Sequence, residues 1–163
     1  MSPFTRLKNL ARPSGLRSVW SYLRAVPGGG VIMGRLVGRL APYTGTIRPV
    51  VLQLEPGYAK VRMEDRPALR NHLRSVHAIA LINLAEATSG LAMMVTLQDD
   101  ARGIPNRLEI DYLKKARGPM IAECTCPSIS GNEKKNYVVE IDIKNEAGEV
   151  VARAKAMWVV GPA

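Results

Sequence analysis

The segment Ala78 to Met94 constrains the fold more than any other part of the chain. Apolar residues stand at positions 78–82, 84, 85, 87 and 91–94, so helical winding places them on nearly every side. A one-sided surface helix would carry a polar stripe, and this one does not. Such a helix needs apolar partners almost all round, more than one open sheet provides. The longer run Ala78–Leu97 is interrupted by Asn83, Glu86, Thr88 and Ser89. A carboxylate near the middle of a span is costly in lipid, which argues against a transmembrane segment. The expectation is a buried helix, wrapped by a curled sheet and by a second copy of the chain. Glu86 is then out of place: a buried carboxylate must be protonated, paired or poised for chemistry. The alternatives are a general base or nucleophile and a carboxylate on the helix's one exposed sliver.

The flanking segments supply strands. Thr46–Leu54 and Tyr58–Met63 are β-branched or alternating and are joined by Glu55-Pro56-Gly57, a hairpin signal. Pro67 opens a single helical turn, and Ser75 is the expected N-cap of the central helix. Beyond it, Arg107–Lys115, Met120–Cys126, Tyr137–Ile143 and Val150–Val160 read as strands, with Gly103–Asn106 and Ser130–Asn136 as loops. Strands around one central helix define an α+β domain with a curled antiparallel sheet.

The basic character is confined to the start. The formal net charge is +9, yet no acidic residue occurs before Glu55. Residues 1–44 read as a basic extension of short helices, divided by Pro13-Ser14-Gly15 and Pro27-Gly28-Gly29-Gly30, and residues 45–163 as the domain proper. Apolar faces opposite arginines would pack on the domain, lie on an anionic membrane, or serve as a presequence. Nucleic acid is not expected as a partner, since no binding module is recognisable and aromatics are 5% of the chain. Cys124 and Cys126 are too close along one strand to pair well, and a zinc site would need more ligands than His72 and His77 offer. They read as two small half-buried strand residues in a reducing compartment, with no metal and a cytoplasmic location.

Asn71, His77 and Glu86 together resemble the signature of hotdog-fold acyl-CoA thioesterases of the PaaI-like type. There an Asn precedes a His-Gly-Gly, and an acid follows on the central helix at the same offsets as here. Ile110 to Gly118 is similar to the family's strand of form Y-L-x-x-A-R-x-G, and Gly148-Glu149-Val150-Val151-Ala152 to its last hairpin. The likeness covers residues 45–160 and is nearest to an uncharacterised thioesterase-like subfamily. Two departures stand out: His-Gly-Gly is His77-Ala78-Ile79, and the glycine three after the Asn is Arg74.

The resemblance implies a hotdog fold and hydrolysis of an acyl-CoA thioester, with coenzyme A as part of the substrate and no cofactor. Glu86 would activate water or attack the carbonyl, the Ala78 backbone N–H would hold the oxyanion, and Asn71 would orient water or substrate. His77 would be chiefly a loop-stabilising group, Ile79 would crowd the acyl approach, and Lys114, Lys115 and Arg117 would meet the phosphates. On one helix His77 and Glu86 would be roughly 13 Å apart, so an antiparallel homodimer, alone or within a tetramer, would bring the Asn71–Ala78 loop of one subunit to Glu86 of the other. The alternatives are a non-catalytic acyl-binding or interaction protein and a hydroxyacyl dehydratase using His72 with Glu86. A weak membrane-surface contact through residues 1–44 also stays open.

Overall fold

The structure, a computed structural model, describes residues 12–163; the apolar run Phe4, Leu7, Leu10 and Ala11 lies outside the described residues. Three helices come first: α1 (Pro13–Leu23), α2 (Gly29–Leu40) and the short α3 (Pro42–Gly45). Then follow β1 (Val50–Glu55), β2 (Tyr58–Met63), a 3-10 turn at Pro67–Leu69, and the central helix α4 (Ala78–Thr96). Four strands complete the chain: β3 (Ala101–Tyr112), β4 (Met120–Thr125), β5 (Lys135–Lys144) and β6 (Val150–Pro162). All six strands form one antiparallel sheet in the order β1-β2-β4-β5-β6-β3, and α4 packs on every one of them. This is the hotdog arrangement, a curled sheet around a helix.

Alternation builds the concave face. Ala59, Val61 and Met63 of β2, Met120, Ala122 and Cys124 of β4, and Val139, Ile141 and Ile143 of β5 all point inward and are buried. They meet Leu84, Ala85, Leu91, Ala92, Met93 and Val95 of α4. The hydroxyl side chains of α4 are accommodated on its own backbone. Thr88 Oγ1 donates to Leu84 O (2.7 Å), Ser89 Oγ to Glu86 O (3.1 Å) and Thr96 Oγ1 to Ala92 O (2.6 Å), so burying these hydroxyls leaves none unsatisfied. The helix is long and apolar enough to cross a membrane, but 67% of that window is buried inside the fold.

Several boundaries differ from the expectation. The strand expected from Thr46 begins only at Val50, because Pro42–Gly45 winds into α3 and Pro49 precedes the first ladder pair. Gly103–Asn106 is strand, not loop: β3 pairs with β6 from Ala101 to Tyr112, with a register shift between Pro105 and Arg107. Pro105 has no N–H to give, and an edge strand with one unpaired side tolerates that. Ser75 does not cap α4. The N-cap is His77, whose Nδ1 accepts the Ile79 N–H at 3.1 Å, while Ser75 is buried with Oγ unpartnered.

The described part of the basic segment packs against the domain. Arg17 Nη1 donates to the carbonyls of Val95 (3.0 Å) and Leu97 (2.7 Å), filling acceptors left free at the C-terminus of α4. The Ser14 N–H donates to Asp99 Oδ1 at 2.8 Å. Helix α2 carries Gly30, Gly34 and Gly38 at four-residue intervals, which align on one face. A β-carbon on Gly30 would fall on the carbonyl oxygen of Val51, and one on Gly34 on that of Pro49. This face therefore seats α2 directly on the backbone leading into β1.

Candidate active site at Glu86

Residues on α4 at Ile79, Ile82, Glu86, Gly90 and Met94 form the one stripe that the sheet leaves partly uncovered. Toward the C-terminal half of that stripe, α1, α2 and α3 close over it and leave a pocket of about 250 Å³. Its walls include Leu16, Val37, Leu40 and Thr44 from the N-terminal helices, and Glu86, Gly90 and Met94 from α4. Trp158 of β6 closes the far side. Asn83 secures the lid: its Nδ2 donates to the carbonyl of Tyr43 in α3 at 3.2 Å.

Glu86 stands in this apolar pocket without a hydrogen bond or ion pair to its carboxylate among the described residues. Burial raises its pKa above the ordinary carboxylate value, with no neighbouring charge contributing. The ring of Trp158 also borders the pocket. Trp158 Nε1 is buried and has no acceptor, although buried indole N–H groups usually find one. A β-carbon at Gly90 would lie 3.6 Å from Trp158 Cζ2 and 3.9 Å from Glu86 Oε1, so the absence of a side chain at residue 90 keeps ring and carboxylate facing one space. An unpaired acid in a small apolar cavity suits a polar guest with an apolar tail.

The other residues singled out by sequence gather at the opposite end of α4. Asn71 Oδ1 accepts the N–H groups of Leu73 (2.9 Å) and Ser75 (3.1 Å), and the Asn71 N–H donates to Ser75 O, so this side chain organises the loop. His77 caps the helix through Nδ1 and is exposed. The Ala78 N–H lies in the first turn, where an N–H has no intrahelical acceptor, and no bond from it is formed among the described residues. Ile79 is half exposed beside it. Tyr112 Oη donates to the Ala78 carbonyl at 3.1 Å, tying the start of α4 to the end of β3. His72 is exposed and does not line the Glu86 pocket. Within one chain, then, the Asn71–Ile79 loop and Glu86 do not share a cavity.

The segment after β3 acts as a brace. Ala116 O accepts the Val76 N–H at 2.8 Å. Gly118, at φ +76°, donates its N–H to Asp65 Oδ2 (2.9 Å), and Asp65 also pairs with Arg70 (2.7 Å). These contacts hold the Asn71 loop from both sides. Lys114 Nζ is paired with Glu149 at 2.8 Å, whereas Lys115 and Arg117 are exposed and make no ion pair among the described residues.

Arg74 has φ +57°, in the left-handed region that costs a side-chain-bearing residue roughly 1–2 kcal/mol. The loop thus keeps a glycine-type backbone at the position where the resembled family has glycine. Arg74→Gly is expected to raise stability by about 1 kcal/mol or slightly less, since glycine also gains freedom in the unfolded chain. Chemical denaturation would show a higher midpoint at unchanged slope, and a lower midpoint would refute the strain.

Cys124 and Cys126 are buried free thiols. Burial pushes Cys124 up to about 12, with the neighbouring Cys126 adding to the effect, and pushes Cys126 up to about 11. At neutral pH both stay protonated and unreactive.

Sequence reading missed Leu16, Val37, Leu40, Thr44 and Trp158 as pocket residues. The only local signal was the apolar spacing of the N-terminal helices, which could not say what they cover.

Fold and site together define a hotdog-fold protein with a helix-borne carboxylate. A family model described as a domain of unknown function, DUF4442, matches residues 29–160, and the chain belongs to that family. The match takes in α2 as well as the sheet and α4. No curated protein matches it. Among solved structures, a protein described only as genomics APC5556 is 29% identical, with a TM-score of 0.77 over 90% of this chain and 97% of that one. PA5026 from Pseudomonas aeruginosa, described as a protein of unknown function and probable thioesterase, is 24% identical, with a TM-score of 0.73 over 85% and 97%. The thioesterase HI1161 from Haemophilus influenzae is 15% identical, with a TM-score of 0.68 over 78% and 90%. At the last two identities the likeness is one of fold.

Proposed function

We propose that this protein hydrolyses an acyl-CoA thioester, with Glu86 as general base or nucleophile in a site completed by a second subunit. The observation that carries this reading is the unpaired Glu86 carboxylate in an otherwise apolar pocket. In the general-base form, Glu86 takes a proton from water while the water oxygen bonds to the thioester carbon. The C–S bond then breaks, the thiolate leaves, and the proton passes from Glu86 to sulfur. As nucleophile, the Glu86 carboxylate bonds to the thioester carbon as the C–S bond breaks and the thiolate leaves, and water then opens the resulting anhydride to give the free acid and the Glu86 carboxylate. The Ala78 N–H of the partner copy, at a helix N-terminus, would stabilise the oxyanion. The described donors favour this, since that N–H is free and Asn71 and His77 hold its loop in place.

The dimer rests on the sheet edge. β3 is an outer strand, and Ile104, Leu108, Tyr112 and the adjoining Leu113 are exposed large apolar side chains on or beside it. Long apolar edges recruit another strand. Pairing β3 with its copy would set two α4 helices antiparallel and bring each loop toward the other's Glu86. Leu108→Asp is expected to shift a dimer to monomer in size-exclusion chromatography with light scattering and to abolish hydrolysis with it. A monomeric wild type would remove the shared site. Lys115 and Arg117 are available for coenzyme A phosphates, and the buried thiols suit a reducing, cytoplasmic setting.

The direct test is hydrolysis of short, medium, long and aryl acyl-CoAs by purified protein, followed as free thiol. Ile79, half exposed where the resembled family has glycine, favours a second reading: an acyl-binding protein without turnover. Absence of hydrolysis together with retained acyl-CoA binding would select it.

A further inference from the structure

On the far side of α2 from the Glu86 pocket lies a separate cleft of about 880 Å³. Its floor is backbone at Gly34, Gly38 and Gly45, and its rim carries Arg35, Arg39, Arg48 and Arg66. Arg35 and Arg39 are one turn apart on α2 and share a face. Arg48 follows α3 and Arg66 follows β2, so three parts of the chain deliver like charges to one opening.

None of these four guanidinium groups forms an ion pair among the described residues. The only carboxylate lining the cleft, Glu64, is held by Arg62 Nε at 2.6 Å. No acidic residue precedes Glu55 in the whole sequence, so residues 1–11 bring no counter-charge either. Arg66 is oriented by a bond from Nη2 to Thr46 O (2.7 Å), while its Nε is buried and has no acceptor. Burial, and then the nearby Arg48, lower its pKa from the usual guanidinium value. Like charges gathered without a partner, with one donor already desolvated, await an anion.

We infer that the Arg35–Arg39–Arg48–Arg66 cleft binds a phosphoryl group of a ligand, presented either by a soluble phosphate ester or by a lipid headgroup. Guanidinium forks match phosphate oxygens, and a phosphoryl group would supply the counter-charge that these four side chains lack. This inference does not depend on the thioester reading, because the cleft and the Glu86 pocket have different walls.

The full-length protein would be titrated calorimetrically with inorganic pyrophosphate and with coenzyme A, and pelleted with phosphatidylglycerol or phosphatidylcholine vesicles. Pyrophosphate is expected to bind, more weakly as salt rises. Arg35→Gln with Arg39→Gln, and separately Arg66→Gln, are expected to weaken it about tenfold or more, as charge-assisted contacts are lost. Lys134→Gln, at an exposed lysine between β4 and β5 that lines neither cavity, serves as the control and should leave it unchanged. Coenzyme A binding with the same arginine dependence identifies a soluble source; pelleting with phosphatidylglycerol alone identifies a headgroup. Far-ultraviolet circular dichroism confirms that each variant is folded. Failure of pyrophosphate to bind, or binding indifferent to both arginine variants, overturns the inference. Thioester hydrolysis by a protein with no pyrophosphate site would leave the proposed function standing.

Discussion

Glu86→Gln is expected to lower acyl-CoA hydrolysis by about 10²- to 10⁴-fold, the usual contribution of a positioned general base, while leaving the protein folded. Glutamine keeps the shape of the side chain but cannot take a proton from water. The pH dependence gives an independent check. Burial raises the Glu86 pKa, and only the ionised carboxylate serves as base or nucleophile. The acid limb of the wild-type profile should therefore fall above the ordinary carboxylate value of about 4.3, and the residual activity of Glu86→Gln should lack that limb. Stability should move the other way. A carboxyl whose folded pKa is raised favours its neutral form, so the native state binds the proton more tightly than the unfolded chain. Its contribution to stability is greatest below the unfolded pKa and is lost as pH rises through the folded value. Glu86→Gln should thus melt higher than wild type at neutral pH and converge with it in acid. Unchanged hydrolysis would exclude the mechanism, and a lower melting temperature at neutral pH would show that the carboxylate is paired in solution.

The second large effect is expected at a residue with no side chain. A β-carbon at Gly34 would fall on the carbonyl oxygen of Pro49, which is backbone and cannot yield as a flexible side chain would. Gly34→Val should therefore push α2 off the approach to β1, at about 3 kcal/mol or more for a rigid overpacked contact. For a chain of this size that is a fall of roughly 6–12 °C in melting temperature. Since Val37 and Leu40 of the same helix line the Glu86 pocket, hydrolysis should fall as well. Gly148→Ala makes a useful contrast: nothing lies within 4 Å of its added β-carbon. Its cost should be limited to the strain of φ +79°, with activity unchanged. A Gly34→Val protein as stable as wild type would mean that α2 is not seated as described.

The elements whose own residues carry a period were legible in the sequence. The all-round apolar run gave α4 to within two residues at its C-terminus. The alternation of Val139, Ile141 and Ile143 gave the inward face of β5, and Glu55-Pro56-Gly57 gave the first hairpin turn. Errors arose where a local signal competed with a distant partner. Gly103 and Pro105 are turn formers by composition, yet eleven ladder pairs with β6 hold that stretch as strand. Ser75 is a better capping residue than histidine by propensity. The bridge between Arg70 and Val76 and the bond from His77 N–H to Leu69 O fix the loop so that the helix starts at Ala78 instead.

The same division holds for the central helix. Its sequence by itself determined that it is buried and that Glu86 is the one charge on it, because hydrophobicity and charge belong to the residues and need no partner to be read. What surrounds that charge was decided only by tertiary structure. Leu16, Val37 and Thr44 come from the basic N-terminal segment and Trp158 from the last strand, far apart in sequence and brought to Glu86 by the winding of the sheet and the seating of α2. A raised carboxylate pKa is a property of that enclosure, since desolvation depends on how much water every neighbour excludes. No window of sequence contains it.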